Sequence, residues 1–210
     1  MEIAGASQSA GNGPGAYSEE TAQAAAIVVK GSSGVTIEDT YIHDVYGDFV
    51  DLDRGPEGAF TSDVSIIGNR FERNGRQAVS LGENVRDVLI SGNQVTNVRR
   101  SVFDLEPPVE DAIVEDVCIL DNYIENLRNY VVAVGPNGVV RDALVRGNDI
   151  QSPGGENTGR GMVHVPERGE KSPPLTGLVV CSNTGDFVDD DNFQGAAGPV
   201  TTCTSESQQQ

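Results

Sequence analysis

A short motif that recurs along the chain is the feature that most constrains its fold. Residues 88–95, with the sequence VLISGNQV, combine a run of aliphatic side chains with a Gly-Asn turn. Related runs occur elsewhere, and the equivalent turn positions are Thr40, Asn69, Asn93, Asn122, Asn148 and Asn183. Successive turn positions are 24 to 35 residues apart. A repeat of this size predicts a solenoid, in which each unit packs against its two neighbours.

Each repeat holds three short segments with the character of β-strands. The first alternates apolar and polar residues, as in Val50-Asp51-Leu52 and Phe103-Asp104-Leu105. The second is the recurring motif, and the third follows the turn and carries an apolar residue such as Phe71 or Ile124. Short runs with period-two alternation are typical of strands rather than helices. Stacked coils of three strands would form three parallel sheets around one apolar column.

The recurring Asn residues indicate a second, polar column inside the coils. An Asn at the same turn of each coil can donate its side-chain amide to the Asn of the next coil. Such a ladder would satisfy buried polar groups that are otherwise costly. An ordinary turn residue explains any one of these positions, but it explains five in register poorly. We therefore expect an internal Asn ladder.

The repeated Val-x-Ile-x-Gly/Asp-Asn units resemble the coils of right-handed parallel β-helix proteins of the pectate-lyase-like superfamily. The resemblance covers roughly residues 1–188. It implies an all-β, single-stranded solenoid of about six to seven coils with three short parallel sheets. Residues 189–210 depart from the repeat and are predicted to form a C-terminal cap and a flexible tail. Because residues 1–6 fit the frame of the second segment, we expect upstream coils to be missing.

The resemblance specifies a fold more closely than an activity. Members of this superfamily include polyuronide lyases, glycoside hydrolases, uronate epimerases, phage tail fibres and adhesins. Function therefore has to be argued from a site.

Charge and hydropathy exclude some classes of partner. The formal net charge is −18, which argues against binding to the nucleic acid backbone, because phosphate contacts need clustered Lys and Arg. No apolar run approaches the length of a membrane span. We predict a secreted or cell-surface protein whose partner is a polysaccharide or surface glycan.

The three Cys residues leave the redox state open. Cys181 and Cys203 bracket the last coil and its tail, and would pair as a staple in an oxidising compartment, leaving Cys118 over. Three reduced thiols are an equally good interpretation.

The first segment predicts a polar face that could carry chemistry. If Val50 and Leu52 point inward, the residues between them and their equivalents point outward. The first outward row is then Val28, Asp51, Ser80, Asp104, Ala133 and His164, and the second is Lys30, Asp53, Gly82, Glu106, Gly135 and Pro166. On the same argument Phe49 and its equivalents form a third outward row. Asp51, Asp53, Asp104 and Glu106 would thus share one face, with Ser80 leaving room between them.

Two kinds of chemistry fit this face. Asp51 and Asp104 lie two coils apart, near the separation of the carboxyl pair in an inverting glycoside hydrolase. Alternatively, Asp51, Asp53, Asp104 and Glu106 would hold Ca²⁺, a cation that prefers oxygen ligands. The ion would neutralise a uronate while a base removes a proton. Superfamily lyases use Arg or Lys as that base, but no motif here transfers the role to one residue.

Other residues are predicted to complete a groove. Arg54, Arg76 and Arg100 would flank it, with Asp53, Glu106 and Ser80 as further substrate contacts. Phe49 would stack on a sugar ring, and His164 is a weaker catalytic candidate.

These residues predict a carbohydrate-active protein that cleaves or modifies a polysaccharide, as a hydrolase or as a calcium-dependent lyase or epimerase. An outward Asp also keeps a solenoid soluble. The alternative is therefore a non-catalytic structural, adhesion or glycan-binding module.

Overall fold

Short β-strands form almost all the regular structure of the protein. The computed structural model describes residues 1–4, 24–151, 160–166 and 175–186, and the backbone of residues 201–202. The strands are β1 (Glu2–Ala4), β2 (Ala25–Lys30), β3 (Ser33–Glu38), β4 (Tyr41–Val45), β5 (Asp48–Asp53), β6 (Thr61–Ile67), β7 (Arg70–Asn74), β8 (Val79–Leu81), β9 (Val85–Ser91), β10 (Gln94–Val98), β11 (Phe103–Leu105), β12 (Ile113–Leu120), β13 (Tyr123–Leu127), β14 (Tyr130–Val134), β15 (Val139–Arg146), β16 (Asp149–Gln151), β17 (Gly161–His164), β18 (Thr176–Cys181), β19 (Thr184–Gly185) and β20 (Thr201–Thr202). A 3₁₀ turn lies at Pro56–Gly58. No α-helix occurs among the described residues.

The strands stack into three parallel sheets, one for each segment of the repeat. The first sheet has the order β2-β5-β8-β11-β14-β17, the second β3-β6-β9-β12-β15-β18-β20, and the third β1-β4-β7-β10-β13-β16-β19. Every neighbouring pair is parallel and lies one coil apart. This is the three-sheet parallel solenoid that the repeat predicts.

The core is a column of apolar side chains that runs through the coils. Equivalent residues stack in rows, for example Val50, Val79, Phe103, Val132 and Val163 in the first sheet, all fully buried. Phe49 and Phe71 stack with their ring centroids 5.1 Å apart, joining the first and third sheets. Since each row repeats one kind of side chain, burial of apolar area holds each coil against the next.

The predicted Asn ladder is present at the corner between the second and third sheets. The Nδ2 atom of Asn69 donates to Oδ1 of Asn93 at 3.0 Å, and Asn93 and Asn122 continue the chain of donors to Asn148 at 2.9 Å each. Asn148 donates in turn to Asn183 at 3.0 Å. Each of the first four amides also donates to a backbone carbonyl of the preceding coil, as Asn93 does to Ile66. The buried amides are therefore well satisfied.

A row of Asp residues marks a left-handed backbone position in the second sheet. Asp63, Asp87, Asp116 and Asp142 have φ between 51° and 54°, and their register places them side by side in consecutive coils. Gly34 and Gly177 occupy the same position at the two ends of the row. Asp tolerates this conformation better than most residues. We call the four exposed carboxylates the acidic row.

The N-terminal residues depart from the expectation. The sequence placed residues 1–6 in the frame of the second segment, but Ile3 pairs with Ile42 in the third sheet, so that assignment was wrong. Ile3 packs against the core beside Ile42, which the apolar pattern alone could not distinguish from the second-segment frame.

The predicted cap and tail at residues 189–210 lie outside the described residues, except that β20 adds a strand beside Val179 and Val180. Cys203 is also outside them, so its pairing with Cys181 stays a prediction. Within the described residues there is no helix with the length and apolarity needed to cross a membrane.

Candidate functional site

The outer surface of the first sheet brings together the acidic residues that the sequence singled out. Asp51, Ser80, Asp104, Ala133 and His164 occupy one register row on β5, β8, β11, β14 and β17. Asp51 is half-buried and Asp104 is only 6 % exposed. The predicted row is therefore real, and Asp51 and Asp104 lie two strands apart across Ser80.

Adjacent buried residues at the start of β5, β8, β11, β14 and β17, with a β-bulge recorded just before β8, overturn the predicted position of Phe49. The N–H groups of both Ala78 and Val79 donate to the carbonyl of Val102, at 2.9 and 3.0 Å. Two consecutive residues facing one partner is the mark of a bulge, which interrupts the alternation of side chains. Consequently Phe49 and Val50 both point into the core with no exposed surface. The prediction that Phe49 faces outward to meet a sugar ring was wrong.

The same bulge turns Asp48 and Gln77 toward the acidic face. The N–H of Gln77 donates to Oδ1 of Asp48 at 3.0 Å, and its side-chain Nε2 donates to Oδ2 of Asp104 at 2.5 Å. Arg76 donates from Nε to Oε1 of Gln77 at 2.9 Å and lies 3.4 Å from Oδ1 of Asp48. Gln77 thus links the two carboxyl groups, and Arg76 fixes which end of its amide faces Asp104. We call these four residues the acid cluster.

Burial shifts the ionisation of the carboxyl groups here. Desolvation raises the pKa of Asp48 to about 7, against the opposing effects of Arg76 and the Gln77 N–H. Desolvation, followed by the charge of Glu106, raises the pKa of Asp104 well above its usual range. Asp51 is shifted in the same direction by burial and by the charge of Asp53. Carboxyl groups whose pKa is displaced by burial in a shared environment are typical of functional sites.

The carboxylate of Asp53 accepts hydrogen bonds from neighbouring groups of the protein. Its Oδ1 accepts from the N–H groups of Arg54 at 2.9 Å and Glu83 at 3.1 Å, and its Oδ2 accepts from Lys30 at 3.1 Å. Burial alone would raise the pKa of Asp53, but these hydrogen bonds outweigh it and lower the pKa. A Cβ on Gly82 would lie 3.2 Å from Oδ1 of Asp53, so the glycine gives the carboxylate room to reach the next coil.

Glu106 and the three arginines predicted to flank the groove have different environments in the structure. Glu106 is exposed and packs over Gly135, where a Cβ would lie 3.0 Å from its Cγ atom. Arg54 is exposed and its Nε lies 2.7 Å from Oε2 of Glu83. Arg76 belongs to the cluster, and the positive charge of Arg100 acts to lower the pKa of Asp48.

His164 closes the row at its far end. Its ring stacks on Tyr130 with the centroids 4.6 Å apart and the planes at 14°. Its Nδ1 atom is buried and has no hydrogen-bond partner among the described residues. Burial, helped by the charge of Arg160, lowers the pKa of His164, which favours a neutral ring. The stacked pair joins the first and second coils beyond Asp104.

A family comparison agrees with this architecture. The family model described as "Right handed beta helix region" matches residues 17–165, which is most of the chain. The protein belongs to the right-handed β-helix family. No match was found among curated proteins or among solved structures. Because the family is defined by its coils, membership supports the fold and leaves the chemistry to the site.

The predicted metal site of this β-helix protein gains no support from the geometry. Among the described residues, no group of three His, Cys, Asp or Glu side chains could hold a metal ion. Two of the predicted ligands already accept hydrogen bonds from the protein. Oδ1 of Asp53 accepts from the N–H of Arg54, and Oδ2 of Asp104 accepts from Nε2 of Gln77. A calcium site formed by Asp51, Asp53, Asp104 and Glu106 stays a prediction from the sequence.

Sequence reasoning missed two members of the acid cluster, Asp48 and Gln77. Strict alternation back from Asp51 places Phe49 outward and Asp48 inward, and the bulge reverses both. A signal was available, because Phe49, Ala78, Val102, Val131 and Met162 are all apolar. Two adjacent apolar rows in one segment indicate a bulge, and they predict an outward row just before them.

Proposed function

We propose that this β-helix protein hydrolyses glycosidic bonds of a polysaccharide, with Asp104 as general acid and Asp51 as general base. The observation that carries the proposal is the raised pKa of the nearly buried Asp104 carboxyl, in one register row with the more accessible Asp51. A general acid has to keep its proton near neutral pH, and burial is the usual means.

The contacts of Asp104 also favour one position for its proton. Oδ2 accepts the hydrogen bond from Nε2 of Gln77. Because Arg76 donates to the other end of that amide, Gln77 can offer only N–H groups to Asp104. The proton of a neutral Asp104 then belongs on Oδ1, from which it would be donated to the leaving-group oxygen.

Asp51 suits the second role. Two strand spacings put its backbone about 10 Å from that of Asp104. Inverting glycosidases separate their carboxyl groups by about 6.5–9.5 Å, which leaves room for a water molecule. In this proposal Asp51 takes a proton from that water, Asp104 protonates the departing oxygen, and the anomeric configuration inverts. Ser80, between them, leaves space for the sugar.

Asp48 would support the acid without touching the substrate. It is 5 % exposed and holds the backbone N–H of Gln77, so it fixes the residue that contacts Asp104. When Asp48 is ionised, its charge also raises the pKa of Asp104. Asp48 is therefore a positioning residue.

The test is product analysis with the whole chain. The protein is incubated with neutral and uronate polysaccharides, with and without Ca²⁺, and both new reducing ends and unsaturated products are measured. We expect new reducing ends without unsaturation. Unsaturated products that need Ca²⁺ would contradict hydrolysis and support the lyase prediction. The absence of any product would favour the structural or glycan-binding module.

Matched variants assign the roles. Asp104→Asn and Asp51→Asn should each lower turnover by about 10²–10⁴-fold, the usual contribution of a general acid or base. Asp87→Asn, in the exposed acidic row, is the control and should leave turnover unchanged. Circular dichroism checks that each variant is folded. Full turnover in Asp104→Asn would remove it from the catalytic role.

A further inference from the structure

A cluster of arginines stands out on this strongly acidic protein. Arg99 and Arg100 connect β10 to β11, Arg128 lies between β13 and β14, and Arg160 directly precedes β17. These four are among 14 Lys and Arg residues, against 32 Asp and Glu, and they occupy one corner of three coils. We call them the arginine corner.

Backbone hydrogen bonds stack the coils of this corner. The N–H of Arg100 donates to the carbonyl of Arg76 at 3.1 Å, and the N–H of Arg128 donates to that of Val98 at 3.2 Å. The N–H of Arg160 donates to the carbonyl of Asn129. The backbone segments that carry these arginines therefore stack from coil to coil, at about the 4.8 Å spacing of stacked strands.

The surroundings of the corner reinforce its positive charge. Residues 96–102 and 126–132, which include the first two of its three turns, contain no Asp or Glu. The acidic row lies on the second sheet, across the coil from the corner between the third and first sheets. Net charge is thus distributed unevenly, and a negative ligand would be drawn to one edge.

The strands that follow the corner carry the candidate site. Arg100 precedes β11, which carries Asp104, and Arg160 directly precedes β17, which carries His164. The N–H of Arg100 also donates to the backbone carbonyl of Arg76, a member of the acid cluster. Arg128 and Arg160 are exposed, while Arg99 and Arg100 are half-buried. The positive edge therefore borders the same face of the first sheet as the acid cluster.

We propose that the arginine corner binds an anionic polysaccharide, carrying carboxylate or sulfate groups, that runs along the helix axis beside the acid cluster. The guanidinium group pairs with such groups through two parallel hydrogen bonds. A ligand whose charges repeat along a chain matches cations that repeat from coil to coil. This inference rests on the proposed function for its choice of a polysaccharide, and names the class of substrate.

Binding measurements test the inference separately from catalysis. Affinity is measured by calorimetry for dextran sulfate against neutral dextran, and for polygalacturonate against its methyl ester, so that each pair shares a backbone. A single-stranded DNA homopolymer is a further arm. We expect at least one of the two anionic polysaccharides to bind more tightly than its neutral partner. Its affinity should fall as the salt concentration rises.

A pair of double variants locates the site. Arg128→Gln with Arg160→Gln should weaken binding of the anionic polysaccharide by about tenfold or more, since each charge-assisted hydrogen bond contributes substantially. The control is Arg86→Gln with Arg146→Gln, two exposed arginines of the second sheet, which changes the net charge equally. The control should change affinity by less than about twofold.

The outcomes distinguish this inference from the proposed function. It is overturned if no anionic polysaccharide binds, if both double variants weaken binding equally, or if DNA binds more tightly than either polysaccharide. Hydrolysis of a neutral polysaccharide with no anionic binding would keep the proposed function and overturn the inference. If an anionic polysaccharide binds at the arginine corner but no substrate is turned over, the inference is kept and the proposed function is overturned.

Discussion

Single carboxyl groups are expected to set the pH dependence of stability. The folded protein keeps the proton of Asp48 up to about pH 7, whereas an ordinary Asp loses it near 3.8. Between these values the folded state binds more protons than the unfolded state, so the free energy of unfolding should fall as the pH rises. Asp48→Asn should flatten this decline. Thermal unfolding from pH 4 to pH 8 measures it.

Asp44 supplies the matched control of opposite sign. Hydrogen bonds from Arg73, at 2.8 and 3.0 Å, lower the pKa of Asp44 to about 2. Its contribution is present above about pH 4 and is lost as the pH falls toward 2. Asp44→Asn should therefore lower the free energy of unfolding most above about pH 4, and this loss should shrink as the pH falls toward 2. A loss in Asp44→Asn that grows as the pH falls toward 2 would contradict the assignment, and so would an Asp48→Asn profile that declines as steeply as wild type between pH 4 and pH 7.

The side chain of Gln77 is expected to tune the acid. Its hydrogen bond lowers the pKa of Asp104, partly offsetting burial. Gln77→Leu removes that donor at similar volume, so the pKa of Asp104 should rise further. Titration of the labelled carboxyl carbons by NMR measures the pKa directly, and the alkaline limb of the activity profile should move to higher pH. A fall in the pKa would exclude this role for Gln77.

At the scale of the element, the Asn ladder should contribute more at its middle than at its end. Asn93 accepts from the N–H and the side-chain amide of Asn69, and donates to Ile66 and Asn122. Asn93→Ala would leave several buried polar groups without partners, at a cost of about 3 kcal/mol. Asn183→Ala, at the half-buried last rung, should cost about 1 kcal/mol because water can replace the lost amide. Urea unfolding compares them.

The strands of the second and third sheets follow their sequence closely. Each Asn that ends a Val-x-Ile run forms a rung, because a polar group at that corner is buried only if the next coil supplies its partner. The rows of the first sheet were predictable only in part. Asp51 and Asp104 lie beyond the bulge, where alternation holds, whereas Asp48 and Phe49 lie at it. Alternation tells which face of the sheet a side chain lies on only where the hydrogen bonds between strands are regular. A single sequence shows the order of the side chains but not the hydrogen bonds, so it does not reveal a bulge directly.

Two glycines of the repeat have different surroundings that the sequence alone does not reveal. Gly92 and Gly147 both have positive φ in the corner before the ladder. A Cβ on Gly92 would meet nothing within 4 Å, but one on Gly147 would lie 2.1 Å from Oδ1 of Asp121. Gly92→Ala should therefore cost about 1 kcal/mol in backbone strain, and Gly147→Ala should cost more because Asp121 has to move. Equal losses in thermal unfolding would contradict this difference, which no sequence pattern indicates.

For the whole molecule, the uneven distribution of charge should make stability depend on salt. The four carboxylates of the acidic row stand about 4.8 Å apart along the strands' stacking direction, so they repel one another. Raising the salt concentration screens this repulsion and should raise the unfolding temperature. Asp116→Asn keeps a residue that tolerates the left-handed backbone and should stabilise the protein, most at low salt. A variant less stable than wild type at low salt would contradict the repulsion.

The Asn ladder gives the interior of the molecule a direction. From Asn69 to Asn148 each side-chain amide donates one N–H to the Asn of the following coil, and from Asn93 to Asn183 each side-chain oxygen accepts from the Asn of the preceding coil. Aligned peptide dipoles add up in a helix, and a file of aligned amides adds up in the same sense. The sheets contribute little to such a sum. The ladder therefore contributes a dipole whose positive end lies toward Asn183, so the interior is electrically different at the two ends of the stacked coils.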